Sequence, residues 1–167
     1  MQNHTPRAGD DVDEVLQLYS GMIYQIAFSH TGNKPDAEDV FQSVFLKYIT
    51  CRKIFENEEH RKAYLIRMVL NQSKSLFLSA WFRKTKPLSE EIIFDTPEDS
   101  GIYSAVLSLP FKYRTVIWLH YYEDMSVKQI SNTLGIREST IKSQLHRARN
   151  MLREHLKGEF DHVWREA

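Results

Sequence analysis

The chain has 167 residues, enough for one ordinary domain or two small ones, and its 22 Lys and Arg cancel its 22 Asp and Glu. Hydrophobic residues at 42% and aromatics at 12% exclude a disordered chain. The single cysteine, Cys51, excludes an internal disulfide and a Cys-based zinc site, and no apolar run approaches the roughly 20 residues of a membrane span. The polar, acidic start MQNHTPRAGDDVDE is unlike a secretory signal, so the expectation is a soluble, cytoplasmic protein.

Helical periodicity dominates from the first apolar residues onward. Val12, Val15, Leu16, Tyr19, Ile23, Ile26 and Ala27 share one face of a first helix, which ends near Gly32-Asn33. Asn33-Lys-Pro-Asp36 reads as a turn, with Asp36 as N-cap and Glu38 and Asp39 in the first turn of the next helix. That second helix buries Ala37, Val40, Phe41, Val44, Phe45 and Tyr48. Opposite them lie Asp39, Gln42, Ser43 and Leu46, an exposed leucine among polar residues. The charged stretch Cys51–His60 breaks the pattern. A third helix follows from about Lys62 to about Phe82, with Leu65, Met68, Val69 and Leu76 inside.

KTKPLSEEIIFDTPEDSG, residues 84–101, has two prolines, a glycine and weak periodicity, and it is the expected linker. Charge segregates around it. Residues 1–83 hold ten basic and ten acidic residues, 84–100 hold two and five, and 101–167 hold ten and seven. Helices resume at about 102–108, about 110–122, 126–134 and 137 to about 157. The fold class is therefore all-α: two small helical domains, 1–83 and 102–167, joined by an acidic linker.

The densest basic stretch is TIKSQLHRAR, residues 140–149. Between 137 and 157 six basic residues face two acidic ones. On a helix, Ile141, Leu145, Ala148 and Leu152 form an apolar back. Ser139, Ser143, His146, Arg147 and Asn150 form the front, with Lys142 and Arg149 on the flanks. Just before it, SVKQISNTLG reads as a short helix with Ser126 as N-cap and Gly135 at its C-terminal turn. A short helix, a tight glycine turn and a longer basic helix make a helix-turn-helix. Its second helix needs an apolar back, a polar front for base edges and cations for phosphates.

LPFKYRTVIWLHYYEDMSVKQISNTLGIRESTIKSQLHRARNMLREHL, residues 109–156, resembles the −35-reading domain of the extracytoplasmic-function (ECF, group IV) sigma factors of bacterial RNA polymerase. Leu109, Pro110, Arg114 and Val116 match the opening of that domain, Leu134-Gly135 its turn, and Thr140 to Arg149 its signature. Arg137 departs from it, standing where a small capping residue often begins the second helix. The resemblance implies −35 contacts from Arg137, Ser139, Thr140, Lys142, Ser143, His146, Arg147 and Arg149.

The N-terminal half resembles the same family. DAEDVFQSVFLKYI, residues 36–49, is similar to the segment that docks on the β′ coiled coil of polymerase, which implies that Asp39, Gln42, Ser43 and Leu46 touch core enzyme. YLIRMVLNQSKSLFLSAWFRK, residues 64–84, aligns with the segment that recognises and opens the −10 element. Tyr64, Arg67, Asn71, Lys74 and Trp81 would meet DNA there: unstacked bases lie on rings while cations follow the backbone. SLFLSAWF departs from the family, whose members often carry an arginine run at that point. Leu70, Leu78 and Trp81 are therefore open to a core role as well.

These matches imply a sigma factor that binds core RNA polymerase through the β′ coiled coil and the β flap and directs it to promoter DNA. Such a protein is commonly held by an anti-sigma factor, often membrane-bound. The rival is a free-standing helix-turn-helix regulator of duplex operators, which gives DAEDVFQSVFLK no role. No His-Glu-x-x-His, no Cys/His pair and no glycine-rich phosphate loop is present, so neither an enzyme nor a cofactor or metal is expected.

Overall fold

The computed structural model describes the backbone of residues 12–83 and 100–164, and side chains within 12–79 and 101–157. The linker residues 84–99 and the side chains of Trp81, Phe160, Val163 and Trp164 lie outside the described set. All regular secondary structure among the described residues is helical. The chain divides into two compact units, one on each side of residue 90.

In the first unit α1 (Val12–Thr31), α2 (Lys34–Thr50) and α3 (Glu58–Arg83) each pack against the other two. Their shared core contains Val15, Ile23, Ile26, Val40, Val44, Tyr48, Leu65, Ile66 and Val69, all fully buried. Each such aliphatic chain is worth about 1.5–3 kcal/mol relative to exposure. Phe41, Met68 and Leu76, expected inside, are only half-buried. SLFLSAWF divides as well: Leu70 is buried and Leu78 is 47% exposed.

Helix α2 starts three residues earlier than its acidic first turn suggests. The N-cap is Asn33, whose side-chain oxygen accepts from the Asp36 amide at 2.9 Å. Pro35 sits in the first turn, where its missing N–H costs no helical bond. Asp36 is thus inside the helix, accepting from Asn33 Nδ2 at 2.8 Å.

The first turn of α3 holds Arg61, a guanidinium only 1% exposed. It pairs with Glu58 one turn back and lies 4.0 Å from Glu14 of α1. Tyr19 of α1 donates its hydroxyl to Glu58 at 2.7 Å and offers its ring to Arg61 at 5.8 Å. A buried cation needs such partners, because an isolated one carries a desolvation penalty of several kcal/mol. The cluster fastens the start of α3 to α1.

The second unit contains α4 (Ser100–Ser108), α5 (Phe111–Ile117) with a π-helical turn at Trp118–Tyr122, α6 (Val127–Leu134) and α7 (Glu138–Trp164). Arg114 Nη2 donates to the carbonyls of Leu107 at 2.6 Å and Leu109 at 2.8 Å, joining the end of α4 to α5. The winding widens after Ile117, where the Glu123 amide donates to the Trp118 carbonyl, five residues back, at 3.2 Å. Trp118 and Tyr122 stack at 4.0 Å with planes 7° apart.

Candidate nucleic-acid interface

Local chemistry sets the angle between α6 and α7. Ser126 and Gln129 form a reciprocal capping box at the start of α6. Gly135 ends that helix at φ 68°, ψ 30°, a left-handed conformation that disfavours a Cβ. Ser131 then clamps the turn: its carbonyl accepts from the amides of Gly135 and Ile136, and its hydroxyl donates to the Ile136 carbonyl at 2.5 Å. Arg137 does not cap α7 with its side chain. Its carbonyl receives the amides of Thr140 and Ile141, and the guanidinium is left exposed.

The back of α7 is fixed by Ile141, Leu145 and Ala148, each at most 2% exposed. Its front presents Ser139, Thr140, Lys142, Ser143, His146, Arg147 and Asn150, all exposed. Ser143 donates its hydroxyl to the Ser139 carbonyl, leaving the oxygen's lone pairs outward. The Asn150 amide donates to His146 Nε2 at 3.2 Å. Among the described residues no carboxylate pairs with Lys142 or Arg147. A mixed polar and cationic front at groove width can meet base edges in its middle and phosphates at its margins.

Arg149 stands apart from that front. It donates to the Tyr121 hydroxyl at 3.2 Å and lines a groove of about 660 Å³ between α4, the π-helical turn and the later turns of α7. Ile102, Val106, Ile117, Leu152 and Leu156 give the groove an apolar wall, and Arg149, Arg153 and Lys157 lie beside them. Sequence reasoning did not separate this side of α7 from the front. The run WLHYY held the signal, since Tyr121 and Tyr122 are both about half exposed.

In the first unit Tyr64, Arg67, Asn71, Lys74 and Leu78 follow one another along the outer side of α3, at spacings of three and four residues. Asn71 and Lys74 are exposed and Arg67 is half-buried. Tyr64 heads this stripe beneath the loop before α3. Its ring lies 5.2 Å from buried Phe55 and carries the Lys53 ammonium at 4.5 Å. Burial first, then the nearby Cys51 thiol, pushes the Tyr64 phenol up from its ordinary range. The residue types of Cys51–His60 did not name a DNA-facing group. The structure sets Lys53 against the head of the stripe, on a loop anchored by Phe55 against Tyr48, with Arg52 and Ile54 exposed on either side of it in sequence.

On α2, Asp39, Gln42 and Leu46 are exposed and Ser43 half-buried, and Leu46 at 65% has more surface free than any other large apolar side chain described. The four lie together on the side of α2 away from the core. Lys47, next to them, donates to Gln72 of α3 at 2.6 Å.

Comparison with known proteins decides the family. Residues 15–83 match the family model for sigma-70 region 2, and residues 101–152 match that for sigma-70 region 4. The chain belongs to the sigma-70 family, in its ECF group. It is 29% identical over 168 residues to the ECF RNA polymerase sigma factor SigW of Bacillus subtilis, covering 89% of this chain and 90% of that one. SigV of the same organism is 26% identical, with 82% and 86% covered. In fold the chain is similar to the sigma factor RpoE of Bartonella quintana, solved in complex with the anti-sigma factor NepR. The TM-score is 0.75 at 24% identity, covering 88% of this chain and 97% of that one.

This sigma factor is a transcription initiation protein that serves core RNA polymerase in promoter-specific transcription. Among the described residues there is no cluster of three metal-ligating side chains, and no helix is long and apolar enough to cross a membrane.

Proposed function

We propose that this sigma factor reads a −35 element as duplex with the front of α7 and opens a −10 element against the Tyr64 stripe of α3. Residues 1–83 dock on core polymerase and act at −10, 84–101 connect, and 102–167 act at −35. The work divides by chemistry. The front of α7 has hydrogen-bonding groups for stacked base edges, while α3 has a ring, an amide and cations suited to unpaired bases and their backbone.

Core polymerase is held at two places. Leu46, with Asp39, Gln42 and Ser43, meets the β′ coiled coil, and the groove beside Arg149 receives the β flap. An apolar groove flanked by cations suits an amphipathic segment. Arg149 accordingly belongs to the polymerase side of α7. RpoE was solved in complex with an anti-sigma factor, which supports such a partner for this chain too, one that covers these surfaces in the cytoplasm until a signal releases it. Polymerisation chemistry belongs to the polymerase, and this chain supplies address and strand opening.

The carrying observation is the pairing of two matched regions, in order, with an exposed cationic front on α7. Permanganate footprinting of holoenzyme on a promoter selected from a randomised pool tests it. Thymines at −10 become reactive with wild type. Replacing Asn71 and Lys74 by alanine suppresses that reactivity while −35 protection persists. Full −10 reactivity in the double variant contradicts the assignment of α3.

A further inference from the structure

Two side chains on the front of α7 are bonded to each other. The Asn150 amide nitrogen lies 3.2 Å from His146 Nε2, one helical turn away, and both residues are exposed. An amide nitrogen only donates, so Nε2 accepts, and the one proton of the neutral imidazole is on Nδ1. Among the described residues no other hydrogen bond reaches this ring, which leaves Nδ1–H as a free donor. Ser143 has the opposite polarity. Its proton is committed to the Ser139 carbonyl at 3.0 Å, and its oxygen is left to accept.

Helical geometry separates the groups that face bases from those that face the backbone. Ile141, Leu145 and Ala148 define the buried back. With about 3.6 residues per turn, Asn150 stands nearly opposite the centre of that back, and His146 roughly 40° round from Asn150. Lys142 lies roughly 90° from the same line, at the margin, where phosphates are met. A single neutral donor near the middle of the groove finds its acceptors on base edges: purine N7, guanine O6 or thymine O4. The thymine C5-methyl crowds a flat ring approaching O4, while N7 of either purine is open to it.

We infer that His146 reads a purine N7 in the −35 duplex through Nδ1–H, with Asn150 as the positioning residue that holds the ring in that tautomer. The inference rests on α7 being the duplex-reading helix. Without Asn150 the proton distributes between the two ring nitrogens, and the donor is presented only part of the time. The −35 site therefore carries a purine under His146, adenine or guanine alike.

The test uses holoenzyme assembled from the full chain and core polymerase, on promoter fragments selected from a pool randomised through the −35 window. Each −35 purine is replaced in turn by its 7-deaza analogue, which keeps base pairing and lacks the N7 acceptor. With wild type, one such replacement should weaken binding roughly threefold to tenfold, the weight of one neutral hydrogen bond. His146→Ala should bring the same loss on natural DNA, make that N7 irrelevant, and leave the salt slope unchanged, because a neutral donor displaces no counterion. His146→Asn puts an amide donor near the place of Nδ1 and should keep the N7 dependence. Asn150→Ala should lower affinity and N7 dependence together, and do nothing further in the His146→Asn background. An N7 dependence untouched by His146→Ala would overturn the inference. So would a loss spread evenly over all sequences with a smaller salt slope, which marks a phosphate contact. An Asn150→Ala effect of equal size in both backgrounds would remove the positioning role. If alanine at Ser139, Lys142, Ser143 and His146 changes base preference nowhere in the window, the reading of α7 itself fails. If Lys142→Ala or Ser143→Ala relaxes preference while every N7 dependence survives His146→Ala, only the inference about His146 fails.

Discussion

Gly135→Ala isolates the cost of the turn that aims α7. The residue sits at φ 68°, and a Cβ built there meets no atom within 4 Å, so steric crowding by neighbours adds nothing. What remains is backbone conformation. Left-handed geometry costs an L-residue about 1–2 kcal/mol. Alanine also narrows the unfolded ensemble, which returns about 0.4–1 kcal/mol. The net loss is about 1 kcal/mol, or about 4–8 °C in the melting temperature of a unit of this size. Gly135→Asn should cost less, since asparagine enters the left-handed region more readily. Hydrogen exchange at the amides of Ile130, Ile141 and Leu145 reads the stability of this unit within the full chain. An alanine variant as stable as wild type, or an asparagine variant weaker than alanine, would refute the reasoning.

Three further outcomes follow from named contacts. Leu46→Asp should change stability by less than about 0.5 kcal/mol, because the side chain is 65% exposed, yet lower affinity for core polymerase in a pull-down or fluorescence titration. Glu58→Gln leaves Arg61 buried with only distant Glu14 as a carboxylate partner, and should cost about 2 kcal/mol in urea unfolding. That is below the roughly 3–5 kcal/mol of a fully buried pair because Glu58 is itself half exposed, and the Glu58→Leu/Arg61→Met double variant should recover part of the loss. Burial, reinforced by Glu58, pushes the Tyr19 phenol up to about 12 from 10.0. The folded unit then holds more protons than the unfolded chain between those values, so stability falls as pH rises from about 10 to 12. Tyr19→Phe should flatten that alkaline loss, measured as the urea midpoint against pH.

The helices were legible because their apolar residues recur at three and four. Val15, Tyr19, Ile23, Ile26 and Ala27 are all buried as their spacing requires. Ends were less so. Asp36 and Asn33 are both good caps, and Pro35 in the first turn favours the earlier one. The π-helical turn left no trace, since WLHYY reads equally well as an α-helical segment and the winding shows only in the Glu123 amide's bond to the Trp118 carbonyl, five residues back. For the site, the back and front of α7 followed from periodicity alone. Arg149 did not, because it lies on a flank and its side is decided by Tyr121, 28 residues earlier. The loop beside Tyr64 needed Phe55 to be seen in the core before Lys53 could be placed.

The most direct measurement is in vitro transcription with core RNA polymerase, with and without this protein, on a pool of promoter fragments. The account predicts promoter-specific transcripts only when the protein is present, and weak duplex binding by the protein alone, as its neutral net charge suggests. No promoter-specific transcript, together with tight duplex binding by the free protein, would contradict it.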